Sequence, residues 1–182
     1  DLMYPNPPSD NYDLPISAVY KDTPFVPQGP SVLPGVYNVS LTVDGKKFTQ
    51  KLTVRMDPRV KTSAAGLKQQ FDLSLQTYYN IEQARRLSER LQRQITDLEK
   101  TDPKNPKIGK LKLILNGEPP KPGTSLALSE FPLSRLAGAF EQLLDLLQDA
   151  DVAPSTQAVK AVDDLQRALI RVYDSLPPED RR

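Results

Sequence analysis

Apolar and polar residues alternate with a period of two between residues 34 and 60, a pattern typical of strands with one buried face. The alternation breaks at Asp44 and Gly45, a strong two-residue signal for a tight hairpin turn. Pairing outward from this turn places Leu41 opposite Phe48. The register predicts an antiparallel hairpin with an apolar face formed by Tyr37, Val39, Leu41, Val43, Phe48, Leu52 and Val54. Polar side chains then form the other face: Asn38, Ser40, Thr42, Lys47, Thr49, Lys51 and Thr53.

Beyond residue 60 the apolar positions recur with the spacing of helices. A stripe from about Ser63 to Lys100 keeps a repeat near 3.5 residues, which favours coiled-coil-like packing. A second stripe lies within residues 132–151. A third, from about Pro154 to Leu176, alternates steps of four and three and passes through Leu165 and Leu169. We expect three helices in an up-down-up bundle, whereas Leu111 to Leu115 fit a short helix or a strand equally well.

The N-terminal region has a different character, because eight of the 18 prolines fall within the first 34 residues. Proline lacks the backbone donor and fixes φ, so this region excludes a continuous helix or a central strand. We expect an extended segment with short edge-strand pieces at residues 1–4 and 16–20. The fold class is therefore predicted as α+β, with a β domain over residues 1–60 and a helical domain over residues 61–182.

The boundary between these two parts is the sequence Asp57-Pro58-Arg59-Val60. Pro58 disfavours helical geometry at Asp57 and cannot continue a strand ladder. Two interpretations stay open at this point. The segment is a simple strand terminator, or it is a structural linker in which Asp57 or Arg59 ties the two domains together.

Composition narrows the chemistry that this chain can perform. The 182 residues include no His, Cys or Trp, which removes histidine bases, thiolate nucleophiles, disulfides and most zinc, copper and haem sites. The formal net charge is +1, so no global field attracts nucleic acid or an anionic membrane. No apolar run approaches the ~20 residues of a membrane span. We predict no catalytic residue, no metal site and no cofactor, and the start at Asp1 is typical of a mature or excised fragment.

Charged and aromatic clusters in the helical part have ordinary structural explanations. Four arginines between residues 85 and 93 could form a basic stripe, but Glu82 and Glu89 lie at helical pairing distances from them. Lysines around residues 100–112 have no aromatic partners that would stack bases. We therefore predict local ion pairs rather than nucleic-acid binding. Of the adjacent pair Tyr78 and Tyr79, one ring is expected to face the core.

Several segments carry a family resemblance: "DLMYP", "LPGVYNVSLTVDGKKFTQKLTVRMDPRVKTSAAGLKQQFDLSLQTYYN" and "APSTQAVKAVDDLQ". They resemble the C-terminal region of exported bacterial sortilin-like (BNR/Asp-box repeat) β-propeller proteins, which are often labelled glycosyl hydrolase or sialidase-like. The resemblance implies a partial Ig/fibronectin-III-like antiparallel β-sandwich before the helices, and a periplasmic or secreted location. Met3 and Gly66 depart from the family pattern, and the family's tryptophan before Asp1 is missing.

From the residues and the resemblance together, we expect a non-catalytic protein-interaction or assembly module. It would belong to a larger extracytoplasmic β-propeller protein and bind a protein partner or the rest of that chain. The alternatives are an accessory domain that positions substrate for a glycoside- or peptide-hydrolysing propeller, and a subunit of a cell-envelope complex. We expect a second chain, further strands or the helical part to cover the apolar face of the hairpin, because a small sheet is marginal alone.

Overall fold

A computed structural model gives the structure of the chain, and it describes residues 2–8, 28–119, 123 and 125–181. The chain is a mixture of helix and sheet, with a two-stranded antiparallel sheet and four helices in the described part. The strands and helices are β1 (Gly35–Val43), β2 (Lys46–Val54), α1 (Ala64–Thr101), α2 (Pro106–Asn116), α3 (Leu133–Gln148) and α4 (Thr156–Ser175). Single 3-10 turns occur at Leu128–Glu130 and Pro178–Asp180.

The predicted hairpin and its register are confirmed. Leu41 lies opposite Phe48 and Tyr37 lies opposite Leu52. The two turn residues both have positive φ, 48° at Asp44 and 76° at Gly45, as a type I′ turn requires. Because the side chains of a strand alternate between faces, this register gives the two faces that the sequence predicts.

Two of the four helices begin at a serine whose side chain caps the helix. Ser63 caps α1 by accepting a hydrogen bond from the backbone N–H of Gly66, and Ser155 caps α4 in the same way from Ala158. Gly66 is also buried, and a Cβ there would lie 3.1 Å from the Cβ of Ala153. A glycine at this position therefore allows the start of α1 to approach the loop before α4.

The core of the molecule lies between the helices. Helix α1 packs against α2, α3 and α4, and α3 packs against α4. The stripes predicted from the sequence supply this core, and Leu165 and Leu169 are both buried as expected. Leu111 to Leu115, which fit a helix or a strand, form part of α2, with Leu111 and Leu115 buried. The described part of the chain therefore contains one more helix than the three that the stripes predict.

The first described residues pair with the segment that leads into β1 and contact α1. Met3 forms an isolated antiparallel bridge with Ser31, and the ring of Tyr4 contacts the rings of Phe71 and Tyr78. The backbone of Tyr4 lies so close to residue 29 that only a glycine fits there, because a Cβ would lie 2.1 Å from the Tyr4 carbonyl oxygen. The strand piece expected at residues 1–4 thus appears as this single bridge, and the piece expected at residues 16–20 lies outside the described residues.

Of the three covers expected for the apolar face of the hairpin, the helical one is not seen in the described residues. We expected the helical part, among other candidates, to cover the apolar face, but the helices in the described part of the chain leave it open. Leu41 and Phe48 are 61% and 58% exposed. The described helices form their own core, and no residue of the hairpin belongs to that core. A full β-sandwich stays a prediction, because the described residues contain two strands and one isolated bridge.

Candidate interaction surface

The apolar face of the hairpin is exposed in the described structure. Large hydrophobic side chains are usually buried, and a contiguous exposed patch of them marks a binding site more often than a single exposed leucine does. Here the exposed apolar side chains follow one another along the same face of β1 and β2. The members of this surface, which we call the open face, are Val39, Leu41, Val43, Phe48 and Leu52.

The two strands differ in charge. Strand β1, with the sequence GVYNVSLTV, contains no charged residue, whereas β2, with the sequence KKFTQKLTV, contains three lysines. Lysine on an edge strand hinders pairing with another strand, because the charge would be desolvated. The lysines therefore hinder the pairing of another strand with the β2 edge, whereas no charged residue hinders pairing with the β1 edge.

A tyrosine fixes the base of the hairpin. The hydroxyl group of Tyr37 donates a 2.6 Å hydrogen bond to the carbonyl oxygen of Leu33, four residues earlier in the chain. This contact anchors the start of β1 to the segment that leads into it. Two residues before Leu33, the backbone N–H of Ser31 donates a hydrogen bond to the Gln148 side chain. The segment that leads into β1 is therefore attached to the end of α3.

The residues predicted at the domain boundary form a local ion pair. Asp57 accepts hydrogen bonds from the backbone N–H of Arg59 and from its guanidinium group, with the closest contact at 2.6 Å. The hydrogen bond from the Arg59 side chain is the main reason that the pKa of Asp57 lies below its usual value. Both side chains are exposed, and these contacts between them lie within the segment itself. The hydroxyl group of the nearby Thr62 donates a hydrogen bond to the Asp151 carbonyl oxygen, which follows α3.

The ion pairs predicted along α1 are present for two arginines. Arg86 pairs with Glu82, and Arg93 pairs with Glu89, one helical turn away in each case. The sequence did not indicate the third pair. Arg85 turns inward and donates to Glu141 of α3 at 2.5 and 3.0 Å, with side chains only 12% and 7% exposed. Only the tertiary contact between α1 and α3 brings these two residues together.

A second polar cluster attaches the C-terminal turn to the helices. Lys107 at the start of α2 pairs with Asp180 at 2.7 Å, and the Gln94 amide donates to the same carboxylate. Burial alone would raise the pKa of Asp180, but the Lys107 and Gln94 hydrogen bonds hold it below its usual value. The backbone carbonyl of Asp180 also accepts from Arg90. We call this set of contacts the C-terminal tie.

The other candidate sites are weaker. Tyr78 packs toward the core and Tyr79 is exposed, as predicted for an adjacent pair on a helix. The buried hydroxyl of Ser74 lines a cleft of about 60 Å³ and has no hydrogen-bond partner among the described residues, and this space holds only a few waters. Within the described ranges, no group of His, Cys, Asp and Glu side chains is arranged to hold a metal ion. Likewise, none of the described helices is long and apolar enough to span a membrane.

Comparison of the chain with protein-family models, curated proteins and solved structures gives no match. The interpretation of the open face therefore depends on its own geometry and on the residues that form it.

Proposed function

We propose that this chain is a protein-interaction module in which the helical part presents the hairpin to a protein partner. The observation that carries the proposal is the open face, five large apolar side chains that lie in water on one side of a two-stranded sheet. An isolated hairpin is at best marginally stable in water, so a covered face would stabilise it. The helices have an independent core, and they act as the support on which the hairpin is mounted.

The Tyr37 hydrogen bond supports an Ig-like character for the hairpin. In Ig-like sandwiches, a tyrosine hydroxyl near the start of one strand bonds back to the backbone a few residues upstream. Tyr37 has this arrangement with Leu33. The expected partner is therefore a protein element that contributes β-structure. The resemblance to sortilin-like propeller proteins adds the proposal that the module belongs to a large extracytoplasmic β-propeller protein, and that the finer architecture is a partial sandwich followed by an up-down-up bundle.

A capture experiment with matched variants tests this proposal. The Leu41→Ser/Phe48→Ser variant removes two large apolar groups from the open face. The control Leu113→Ser/Leu146→Ser removes two equally exposed leucines from α2 and α3. The unmodified chain and the two variants are each used to capture partners from an extract of the cells that produce the chain. Each captured partner is then purified, and its Kd for each of the three proteins is measured by calorimetry.

We expect one partner that binds the unmodified chain and the helix variant with the same Kd. Removing two apolar anchors from a docking surface should weaken its binding by at least about tenfold in the open-face variant. Equal binding by all three proteins, or equal loss in both variants, would exclude the open face as the docking surface. Circular dichroism melts of the three proteins show whether the helical core is intact in each case.

A further inference from the structure

The hairpin has two outer edges, and backbone geometry shows which residues face each of them. In a two-residue hairpin, the pair that flanks the turn exchanges hydrogen bonds, and bonded pairs then alternate along the ladder. That pair is Val43 and Lys46. Every second residue of β1 therefore bonds to β2, and the residues between them direct their N–H and C=O groups away from it. On β1 these outward-facing residues are Val36, Asn38, Ser40 and Thr42.

The same alternation gives the outward-facing residues of β2 as Lys47, Thr49, Lys51 and Thr53. Two of these four are lysines, and the β1 edge has none. In the described part of the chain, the sheet ends at β1 on one side and β2 on the other. The β1 edge is thus a row of exposed backbone donors and acceptors without a protecting charge, the condition under which a third strand is added most readily.

Charge indicates what kind of strand fits there. Lys47 and Lys51 lie on the polar face, opposite the short side chains of Thr42 and Asn38. A strand added beside β1 would be about 10 Å from β2, since neighbouring strands are about 4.8 Å apart. Long carboxylate side chains on the polar face of that strand can therefore meet the lysine ammonium groups above Asn38 and Thr42. Such contacts are partly screened, so they select the partner and its orientation more than they add affinity.

A second copy of this chain is a poorer occupant of the edge. Pairing β1 with another β1 would bring no carboxylate near Lys47 or Lys51, because the only acidic residue between Gly35 and Arg55 is Asp44 in the turn. That pairing would also leave both open faces in water. A different strand can supply acidic residues on one face and apolar residues on the other, which extends the apolar sheet toward a covering layer.

We infer that the β1 edge accepts an extended strand of a partner protein in which apolar residues alternate with acidic ones. The apolar residues continue the open face beside Tyr37, Val39 and Leu41. The acidic residues lie on the polar face toward Lys47 and Lys51 of β2. This inference rests on the proposed function and adds to it the edge that is used and the chemistry of the strand.

The test uses the full chain and two synthetic nine-residue peptides with blocked ends, one alternating valine with glutamate and the other alternating valine with lysine. We expect the glutamate peptide to bind roughly tenfold more tightly than the lysine peptide at low ionic strength. Hydrogen exchange followed by NMR should then show new protection at the amides of Val36, Asn38, Ser40 and Thr42. The outward amides of β2, such as Thr49, should exchange as before.

Two proline variants make the test specific for one edge. Ser40 and Thr49 are directly paired, their hydroxyl groups contact each other at 3.1 Å, and each directs its N–H outward on its own edge. Ser40→Pro should weaken binding of the glutamate peptide at least about tenfold, and Thr49→Pro should leave it within about twofold. Both variants lose the same side-chain hydrogen bond, so a general weakening of the hairpin would affect them equally.

Several results would overturn the inference: no binding of the glutamate peptide, protection on the β2 edge, equal effects of the two prolines, or protection of β1 that grows with protein concentration without peptide. The last result would assign the edge to a second copy of the chain. None of these results removes the open face as a docking surface, which the Leu41→Ser/Phe48→Ser capture experiment tests separately. The exchange measurement on the unmodified chain stays decisive if a proline variant fails to form the hairpin.

Discussion

At the scale of single residues, burial decides which of the ion pairs matters for stability. Exposed pairs one helical turn apart, such as Arg86 with Glu82, contribute little because water and salt screen them. The Arg85 and Glu141 pair is almost entirely excluded from water. Removing Glu141 takes away the carboxylate that compensates a buried guanidinium charge, which costs far more than the pair itself contributes.

Glu141→Ala is therefore expected to lower the free energy of unfolding by about 3–5 kcal/mol. Glu82→Ala, the control on the exposed pair, should lower it by no more than about 0.5 kcal/mol. Urea denaturation followed by circular dichroism measures both. Similar small effects from the two variants would mean that the Arg85 guanidinium does not depend on Glu141.

The C-terminal tie gives a prediction about pH. The pKa of Asp180 is lower in the folded chain than its usual value of 3.8, so its contribution is complete above pH 3.8 and is lost as the pH falls through the folded pKa. Asp180→Asn removes the charged contact with Lys107 at every pH. We expect this variant to be less stable by about 1–2 kcal/mol at neutral pH.

The melting temperatures of Asp180→Asn and the unmodified chain should converge as the pH falls below 3.8, because the carboxylate of the unmodified chain becomes protonated there. Glu179→Gln is the control, since Glu179 is largely exposed and lies 3.3 Å from Lys107. Its effect on the melting temperature should be small across the whole range. A difference for Asp180→Asn that stays constant down to pH 2 would contradict this account of the tie.

At the scale of elements, the sequence predicted most where a repeating pattern coincided with a local signal. The hairpin had both alternation and Asp44-Gly45, and α4 had strict four-three spacing with Ser155 before it. Helix α2 had neither a long stripe nor a clear period, so Leu111 to Leu115 fitted two structures. The Arg85 contact with Glu141 and the open face depend on which elements meet in space. The pattern of residues along the chain carries little information about which elements pack against each other.

Leu165 tests whether the seam of α4 is an internal core or a docking surface. Leu165 is fully buried in the helical core, so Leu165→Ala should cost about 2–5 kcal/mol. Arg167→Ala, two residues away on the exposed side, should cost less than about 0.5 kcal/mol, although its guanidinium contacts Asp163 and Asp164. Thermal melts give both values. An unchanged melting temperature for Leu165→Ala, together with loss of partner binding, would show that the seam serves association instead.

At the scale of the whole molecule, the chain combines two parts with different sources of stability. The helical part buries a continuous apolar core and has many tertiary contacts. The hairpin depends on its own ladder, its I′ turn and the Tyr37 anchor, because its apolar face is in water. A part with few buried apolar contacts opens locally at a lower free energy than the global unfolding of the protein. The hairpin is therefore expected to be the less stable part until a partner covers it.

Hydrogen exchange followed by mass spectrometry can separate the two parts in one experiment. We expect peptides from the middle of α1 and α4 to exchange only through global unfolding, and those from β1 and β2 to exchange faster. Leu165→Ala should then accelerate exchange in the helices and leave the hairpin unchanged, because the substitution removes core packing to which the hairpin contributes little. Equal acceleration in both parts would mean that they unfold as one cooperative unit. In that case the hairpin would be an integral part of the helical fold, and the role proposed for the helices as its support would fail.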